Sequence, residues 1–443
     1  MSKIEVNAIE PQCGTTLTLG ASGDTVSLPS GVTLSGVGTV SWDTTAKTTG
    51  FTAVSGNGYF VNTTSGAITV TLPASPSSGD IVSLADYTNT WQTNNVTVGR
   101  NSEPIGGNAS DAILSTEGQS VTFIYVDGTE GWKNIQDSTS NVKGNTFILA
   151  TGGTVTCCGD YKIHTFTGPG TFTVLNAGLA ANSNVDYLVV AGGGGGGTGD
   201  AGGGGGAGGY RESAGCGYSS SPLGSGVSAL PVTATSYPIT VGGGGAGGGP
   251  QVVGCGAEPG SSGSNSVFST ITSTGGGGGG QFKTVGLTGG SGGGGGGRCG
   301  FAGGAGNTPP VSPSQGNNGG PSNPSTSAVE DSGGGGGGAT SAGTAGATPT
   351  AGPGGNGATS SINGTPIARA GGGGGGACNT RPAGSGGSGG GGAGGTYPSP
   401  TAANGTPGTI NTGGGGGGVG VATGPSSGGS GGSGIVIIRY KYQ

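Results

Sequence analysis

Charged side chains are scarce in this sequence. Lysine and arginine number 13 and the acidic residues 19, so that only 7% of the residues are charged, against about 25% in a typical globular protein. A disordered chain normally stays in solution through its charge, so this scarcity favours a chain that folds by pairing its backbone groups. The net charge of −6, without any cluster of lysine and arginine, excludes the basic surface that nucleic-acid binding requires.

Groups suited to catalysis or metal binding are equally few. His164 is the only histidine, and its polar position in an alternating segment predicts a solvated strand residue rather than a general base. Cys157 and Cys158 are adjacent and therefore lack the gap that zinc ligands show. The many Gly-x-Gly-x-x-Gly matches have no strand–loop–helix context. The sequence thus predicts no enzyme, no catalytic residue, no cofactor and no metal.

Long apolar runs are missing as well. No run approaches the ~20 residues needed to cross a membrane, and the first residues do not have the apolar core of a secretory signal. We therefore expect synthesis in a cytoplasm and release by lysis or assembly. The seven cysteines leave at least one unpaired in any disulfide scheme within one chain. Cytoplasmic synthesis favours free thiols, and later oxidation stays open.

Glycine is what the sequence has in excess, with 118 of 443 residues against a usual ~7%. Collagen is excluded because no strict Gly-X-Y period is present. Glycine instead returns in runs of six, and the last four of these runs begin roughly 40 residues apart, a spacing typical of internal repeats. The hexaglycine runs are Gly192–Gly197, Gly275–Gly280, Gly292–Gly297, Gly333–Gly338, Gly371–Gly376 and Gly413–Gly418.

Two interpretations of these runs compete. The usual interpretation of a glycine run is a flexible linker, but the function of a linker does not require every run to have the same length. The other is polyglycine II, a helix with three residues per turn and a rise of about 3.1 Å, whose backbone groups must bond sideways to neighbouring helices. Ordering six glycines costs at least ~6–12 kcal/mol, and each hydrogen bond returns only about 1 kcal/mol. A lattice therefore needs several neighbours and a frame that fixes its ends.

The rest of the chain indicates β-structure, and no window has helical periodicity. Residues 1–47 predict an extended leader, 48–137 a small β-sandwich or β-prism of six short strands, and 138–159 a polar linker. Residues 160–443 predict a glycine-rich domain. The predicted fold class is all-β, with a C-terminal β frame that holds a packed lattice of polyglycine II helices.

The predicted frame begins with a hairpin. Residues 161–166 and 170–175 alternate on either side of a Gly-Pro-Gly turn. We expect this hairpin to form one sheet with the strongly β-forming segments 187–191, 237–241 and 435–440.

The order of these segments around the glycine runs resembles the glycine-rich domain of bacteriophage tail-fibre and receptor-binding proteins. The residues that carry the resemblance are Tyr187–Gly192, Tyr237–Gly243, Ser266–Phe268 and Gly434–Tyr440. The likeness covers residues 160–443 and extends to the adhesins at the tips of tail fibres in T-even-like phages. Residues 1–47 resemble the N-termini of fibre proteins in marine phages.

The resemblance implies a function. It implies a virion protein, made in the host cytoplasm, that binds a receptor on a bacterial surface, either an outer-membrane protein or a polysaccharide. It also implies that the N-terminus attaches to other virion tail proteins. The alternating leader is too thin to cover its own apolar face, so we expect a homotrimer.

Candidate receptor-binding residues lie in the segments that interrupt the glycine runs. These segments vary in length and content while the runs stay fixed, and rigid scaffolds commonly present variable loops for binding. Aromatic and arginine side chains dominate binding hot spots, and here they are Phe282, Arg298, Phe301, Arg381 and Tyr397. The alternative for each residue is that it only closes the edge of the lattice.

Other functions remain open. A purely structural fibre or decoration protein without specific binding is the main alternative. An ice-binding protein would need a regular spacing and one flat face, which the irregular loops oppose. A depolymerase would need paired carboxylates in a cleft, and the glycine-rich part offers only Asp200, Glu212, Glu258, Glu330 and Asp331.

Overall fold

A computed structural model describes residues 40–138, 147–250, 257–378, 381–396, 404–420 and 425–442. In these ranges the chain consists of strands and extended segments, and its helical content is three short 3-10 turns, Ala180–Asn182, Pro222–Gly224 and Ala328–Glu330. The predicted all-β fold class is confirmed. A search of the same residues finds no helix that has the length and apolar character to cross a membrane.

The chain divides into two compact units, unit 1 at Met1–Gly144 and unit 2 at Asn145–Gln443. The described strands of unit 1 are β1 (Ser41–Lys47), β2 (Phe51–Thr52), β3 (Asn57–Val61), β4 (Ile68–Thr71), β5 (Ile81–Asp86), β6 (Val96–Gly99), β7 (Ala112–Leu114), β8 (Ser120–Tyr125) and β9 (Trp132–Ser138). They form two open sheets, with strand orders β1-β3-β5-β8-β9 and β2-β4-β6-β7.

The core of unit 1 is formed by residues from both sheets, because alternate residues of a strand point to one face. Trp91 and Trp132 are its largest fully buried side chains, and the Trp91 indole N–H donates to the carbonyl of Val61 at 3.2 Å. The predicted strands correspond to β2–β6 and β8. The pattern gives no sign of β9, because this edge strand is polar and exposed after Trp132.

The predicted leader is described only in part. Residues 1–39 lie outside the described residues. Ser41–Lys47 forms β1 and pairs in parallel with β3, so the end of the leader belongs to the sheet of unit 1.

The described strands of unit 2 are β10 (Leu149–Thr151), β11 (Thr154–Cys158), β12 (Tyr161–Phe166), β13 (Gly170–Asn176), β14 (Asn184–Val190), β15 (Tyr210–Glu212), β16 (Leu230–Pro231), β17 (Ser236–Thr240), β18 (Ser266–Phe268), β19 (Ile271–Ser273), β20 (Ala358–Ser360), β21 (Ile367–Arg369) and β22 (Ile435–Lys441). They form a frame of two main sheets, ordered β10-β13-β17-β18-β19 and β11-β12-β22-β14-β15, in which β16 also pairs with β14. Strands β20 and β21 form a separate hairpin.

The frame corrects two expectations about its first strands. β12 and β13 are not a hairpin: β12 pairs with β11 and β22, whereas β13 pairs with β10 and β17 in the other sheet. The Gly168–Gly170 segment therefore carries the chain from one sheet to the other, so that apolar faces of both sheets share one core. The segment predicted as a linker supplies β10 and β11, one edge strand for each sheet.

His164 is not a solvated strand residue. It is fully buried, with Nδ1 2.7 Å from the Gly152 carbonyl and Nε2 3.0 Å from the Tyr440 hydroxyl. Burial lowers the pKa of His164 below its ordinary value of 6.5. Alternation misplaces this residue because His164 shares a face of β12 with Phe166, and this face lies in the core between the two sheets, where the His164 ring contacts Phe172 and Tyr440.

The glycine runs form a hexagonal lattice around one central run, Gly202–Ala207. All six hexaglycine runs contact it through backbone hydrogen bonds. The central run donates from Gly203, Gly204 and Gly205 to Gly280, Gly334 and Gly416, and it accepts at Gly203, Gly204 and Gly205 from Gly197, Gly294 and Gly373. Each of the six runs also bonds to the run that follows it in the chain, and the last run bonds to the first, so the six runs form a closed ring.

Within a run, the hydrogen-bonding partner changes with a period of three residues. The run Gly192–Gly197 donates hydrogen bonds to three neighbouring segments. The N–H groups of Gly192 and Gly195 donate to Ser264 and Ser261 of one segment, and those of Gly193 and Gly196 donate to Gly432 and Gly429 of a second. The N–H groups of Gly194 and Gly197 donate to Gly206 and Gly203 of the central run. Three residues per turn and sideways bonding define polyglycine II. The packed lattice is therefore confirmed, and the flexible-linker interpretation is wrong.

The lattice also explains why the six enclosing runs are pure glycine and why the central run has a side chain only at Ala207, its end at the frame, where the methyl group packs in an apolar cluster with Leu188 and Val190. A helix with neighbours on every side has no direction in which a Cβ fits, whereas a helix at the surface has one. Residues 384–388 lie at the surface, where Gly384 and Gly387 are buried while Ser385 and Ser388 are exposed. A hexaglycine run thus indicates enclosure, and a serine or alanine at every third position indicates a lattice surface.

Candidate binding surface

The lattice carries its interrupting segments at two opposite ends. Runs leave the frame after β14, β17 and β19 and re-enter it before β15, β18 and β22, and a run of six residues spans about 19 Å. The far turns form a surface that we call the tip surface, made of residues 198–201, 281–285, 298–301, 321–331, 347–350, 377–378 and 381–382.

Backbone hydrogen bonds join these segments into one layer. Cys299 N–H donates to the Ser325 carbonyl at 3.0 Å, and Gly300 N–H donates to Asn323 at 2.9 Å. The next contacts link Gly346 to Pro321 at 2.9 Å, Cys378 to Asp331 at 3.2 Å and Ala351 to Pro382 at 3.1 Å. Segments that are distant in sequence are therefore held in fixed positions relative to one another.

Phe282 is the centre of a cationic cluster on the tip surface. The Arg298 guanidinium lies 5.3 Å and the Lys283 ammonium 5.2 Å from the centre of its ring, within the range of cation–π attraction. Phe282 also packs over Gly199, where an added Cβ would overlap the Phe282 side chain. The ring is therefore fixed on one side by the lattice and flanked by two positive charges.

Arg298 also reaches the buried carboxylate of Asp331, with Nε 3.1 Å from Oδ1. Burial raises the pKa of Asp331 to about 6, and the nearby positive charge of Arg298 opposes the rise. A second ion pair, between Arg381 and Glu330 at 3.8 Å, lies beside it in a more exposed position. The two pairs tie the segments 298–301 and 381–382 to the long segment 321–331.

The structure brings most of the predicted site residues to this surface. Phe282 and Arg298 are in contact, and Phe301 lies one turn away, with its N–H bonded to Ser322 Oγ at 2.9 Å. Arg381 is at the same end, 3.3 Å from Thr348 Oγ1. Tyr397 lies outside the described residues.

Sequence reasoning missed Lys283, Asp331 and the exposed Val329 at the same surface. Lys283 takes a positive φ of 58°, which turns its side chain back over Phe282. No local pattern marks such a residue, because glycine, asparagine and aspartate are the usual signals for that conformation.

A protein-family model described as a glycine-rich domain matches residues 165–441, the frame and the lattice together and well over half of the chain. The chain belongs to this glycine-rich domain family. A search of curated proteins found no match.

The glycine-rich domain holds one more conspicuous polar cluster, inside the frame. The buried carboxylate of Glu212 accepts hydrogen bonds from the Tyr210 hydroxyl at 2.9 Å, from Ser221 N–H at 2.9 Å and Oγ at 2.6 Å, and from Ser360 Oγ. Arg369 is buried nearby, and desolvation lowers its pKa while the charge of Glu212 opposes this. Because its acceptors are occupied and it is closed to solvent, Glu212 joins β15 to the β20–β21 hairpin and offers no ligand site.

Other chemistry finds little support in the described part of the glycine-rich domain. No group of three or more histidine, cysteine or acidic side chains there could hold a metal ion. Cys157, Cys158, Cys216 and Cys299 are free thiols, whereas Cys378 is buried and has a pKa raised by desolvation. The tip surface is therefore the candidate functional site, and its groups suit non-covalent binding.

The raised pKa of Asp331 gives the tip surface a pH dependence. Between its ordinary pKa of 3.8 and about 6, the folded carboxyl holds a proton that the unfolded one has released. Stability must therefore fall as pH rises through about 6, by about 1–2 kcal/mol from this group. We expect Asp331→Asn to flatten that fall in denaturant titrations one pH unit below and above 6.

Parent and variant share a similar pH-dependent contribution from Asp186, whose pKa burial also raises to about 6. The contribution of Asp331 is therefore read as the difference in stability between variant and parent. Asp160→Asn, which changes an exposed carboxylate, is the control and should follow the parent. A variant at position 331 that also follows the parent at both pH values would show that the titrating group lies elsewhere.

Proposed function

We propose that this protein is a bacteriophage virion fibre protein that binds a receptor on the host cell surface through the tip surface. The observation that supports the proposal is that the two ends of the lattice differ, with the β frame at one end and the tip surface at the other. Uniform glycine helices hold segments of unequal length at the end opposite the frame, where aromatic, cationic and exposed apolar side chains meet. The homotrimer and an N-terminal attachment to other tail proteins belong to the same proposal.

The alternative is a structural fibre protein whose tip binds nothing. The tip surface favours binding because its segments are ordered by backbone hydrogen bonds and ion pairs. Fixing side chains before binding lowers the entropic cost of association. Two glycines suffice to turn the chain between two runs, as at Gly389-Gly390, so the 11 residues 321–331 are more than a simple turn at the tip requires.

We expect the double variant Phe282→Ala, Arg381→Ala to lose binding to host cells. Truncating an aromatic or arginine anchor in a binding site typically costs ~2 kcal/mol, about 30-fold in affinity. The measurement uses the full-length chain, labelled with a fluorophore, against a panel of bacterial strains. Arg298 is left intact because it pairs with the buried Asp331, so its loss would disturb the tip surface itself.

Ile410→Ala is the matched control. Among the described residues Ile410 is the most exposed large apolar side chain, at 71%, and it lies in a loop at the frame end of the lattice. We expect this variant to bind as the parent does. If the double variant keeps its melting temperature and still binds host cells at the parent level, the tip surface is not the receptor site and the structural alternative is favoured.

A further inference from the structure

Unit 1 carries a row of aromatic rings on the outward face of its larger sheet. The row, which we call the aromatic stripe, consists of Trp42, Phe60 and Tyr87. Ring centres are 4.9 Å apart between Trp42 and Phe60 and 6.3 Å apart between Phe60 and Tyr87. Trp42 is 41% and Tyr87 55% exposed, so the row has solvent on its open side.

Strand register places these rings on one face. Trp42 on β1 is opposite Gly58 on β3, and Phe60 points to the same side because the neighbouring Tyr59 points into the core. Tyr87 follows β5 and bonds through its N–H to the Val61 carbonyl at 3.1 Å. The stripe therefore crosses three neighbouring strands in single file.

A glycine seats the first ring. A Cβ on residue 58 would come within 2.7 Å of the Trp42 indole, so only glycine lets the indole lie flat against the strand. The indole is therefore held in place before any ligand arrives.

The surroundings of the stripe are polar but neutral. Asn62 lies two residues beyond Phe60 on the same face, and its Oδ1 accepts from Thr64 Oγ1 at 2.6 Å and Thr88 Oγ1 at 3.2 Å. The charged residues of the Trp42 strand, Asp43 and Lys47, pair with each other at 2.7 Å on the opposite face, beside Tyr59, and so add no charge to the stripe. The stripe thus combines a single row of rings, amide and hydroxyl groups at one end, and no net charge. These features match the chemistry of a chain of neutral sugars.

We propose that the aromatic stripe is a second binding site, for a neutral linear saccharide. The C–H faces of successive sugar rings would pack on the aromatic rings, and sugar hydroxyls would bond to the amide and hydroxyls near Tyr87. Nucleic acid would also stack on such rings, but it needs unpaired positive charge that this face lacks. The site lies within unit 1 and is independent of the tip surface of unit 2.

Tryptophan fluorescence tests this proposal directly. The chain has three tryptophans, and Trp91 and Trp132 are fully buried, so Trp42 dominates any change caused by a ligand at the surface. Neutral hexasaccharides, cellohexaose and chitohexaose, are titrated into the full-length chain in the presence of acrylamide. We expect protection of Trp42 from quenching, and an apparent affinity about tenfold weaker in Tyr87→Ser, since removing one ring contact is worth roughly that factor.

Two controls separate the possible outcomes. Ile113→Ser changes a side chain of the other sheet that is 63% exposed and should leave protection unchanged. Gly58→Ala should displace the indole and reduce protection even though the stripe residues are intact. The proposal is overturned if neither hexasaccharide protects Trp42 at millimolar concentration. It is also overturned if protection appears without saccharide and grows with protein concentration, because a second copy of the chain then covers the stripe.

Discussion

A single added methyl group at the centre of the lattice is expected to destabilise the glycine-rich domain strongly. Gly204 lies in the central run, and a Cβ there would overlap the carbonyl of Gly373, which belongs to an enclosing run. The carbonyl cannot move aside without breaking bonds to further runs, since the ring of six runs is itself closed by hydrogen bonds. We expect Gly204→Ala to cost about 3 kcal/mol or more, the upper end for overpacking, measured as the denaturation midpoint of unit 2.

The control for this substitution is Gly243→Ala. Gly243 also belongs to a glycine run, but a Cβ there meets no atom within 4 Å. It should leave stability within about 0.5 kcal/mol of the parent, as surface substitutions usually do. Equal stability of both variants would contradict the enclosed lattice, because two glycines in similar local sequence would then be interchangeable.

The second large effect is expected at Glu212, inside the frame. Glu212→Ala removes the acceptor of the Ser221, Ser360 and Tyr210 hydroxyls and a negative charge that opposes the effect of desolvation on the buried Arg369. Each buried donor left without an acceptor typically costs about 1–3 kcal/mol. We expect a loss of at least ~3 kcal/mol in the free energy of unfolding of unit 2, measured by denaturant titration.

Glu212→Gln distinguishes charge from hydrogen bonding at this position. The amide keeps one acceptor oxygen but has no charge, so an intermediate loss is expected. Glu258→Gln is a matched control, because the Glu258 carboxylate lies at the lattice surface, where it accepts from Gly249 N–H at 3.1 Å. If Glu212→Ala proves as mild as the control, the cluster is not what joins β15 to the β20–β21 hairpin.

The sequence predicts the lattice well because its rule is local. A run of glycine between β-forming segments can adopt few ordered structures. The constant length of six residues corresponds to the distance between the two ends of the lattice. The all-β class follows for the same reason. Which runs become neighbours is not local, however, and nothing in Gly192–Gly197 marks Gly416 or Gly206 as its partners.

The two failures in the frame have a common cause. A Gly-Pro-Gly turn after Phe166 predicts a hairpin, but the apolar faces of β12 and β13 are better covered when they lie in opposite sheets. The alternating pattern predicts that His164 faces solvent, but His164 shares its face with Phe166 and points into the core between the two sheets. Both expectations assume that one face of the sheet is exposed to solvent, whereas both faces of this sheet are covered by apolar cores.

The same limit applies to the tip surface. Aromatic and arginine residues stand out in a glycine-rich sequence, so Phe282 and Arg298 could be identified. Their shared ring contact and the buried partner Asp331 depend on turns that meet only when the lattice is assembled. Composition therefore indicates which residues can bind, whereas the lattice decides which of them act together.

The position of β22 has a consequence for how the glycine-rich domain folds. This strand lies between β12 and β14, and its Ile435 pairs with Val190, about 245 positions earlier in the chain. Contacts of such long range make folding slow, because much chain entropy is lost before they form. The lattice cannot close from one end like a stack of repeats, so assembly should be all or nothing, and a chain interrupted before residue 435 should present its glycine runs unpaired to proteases and chaperones.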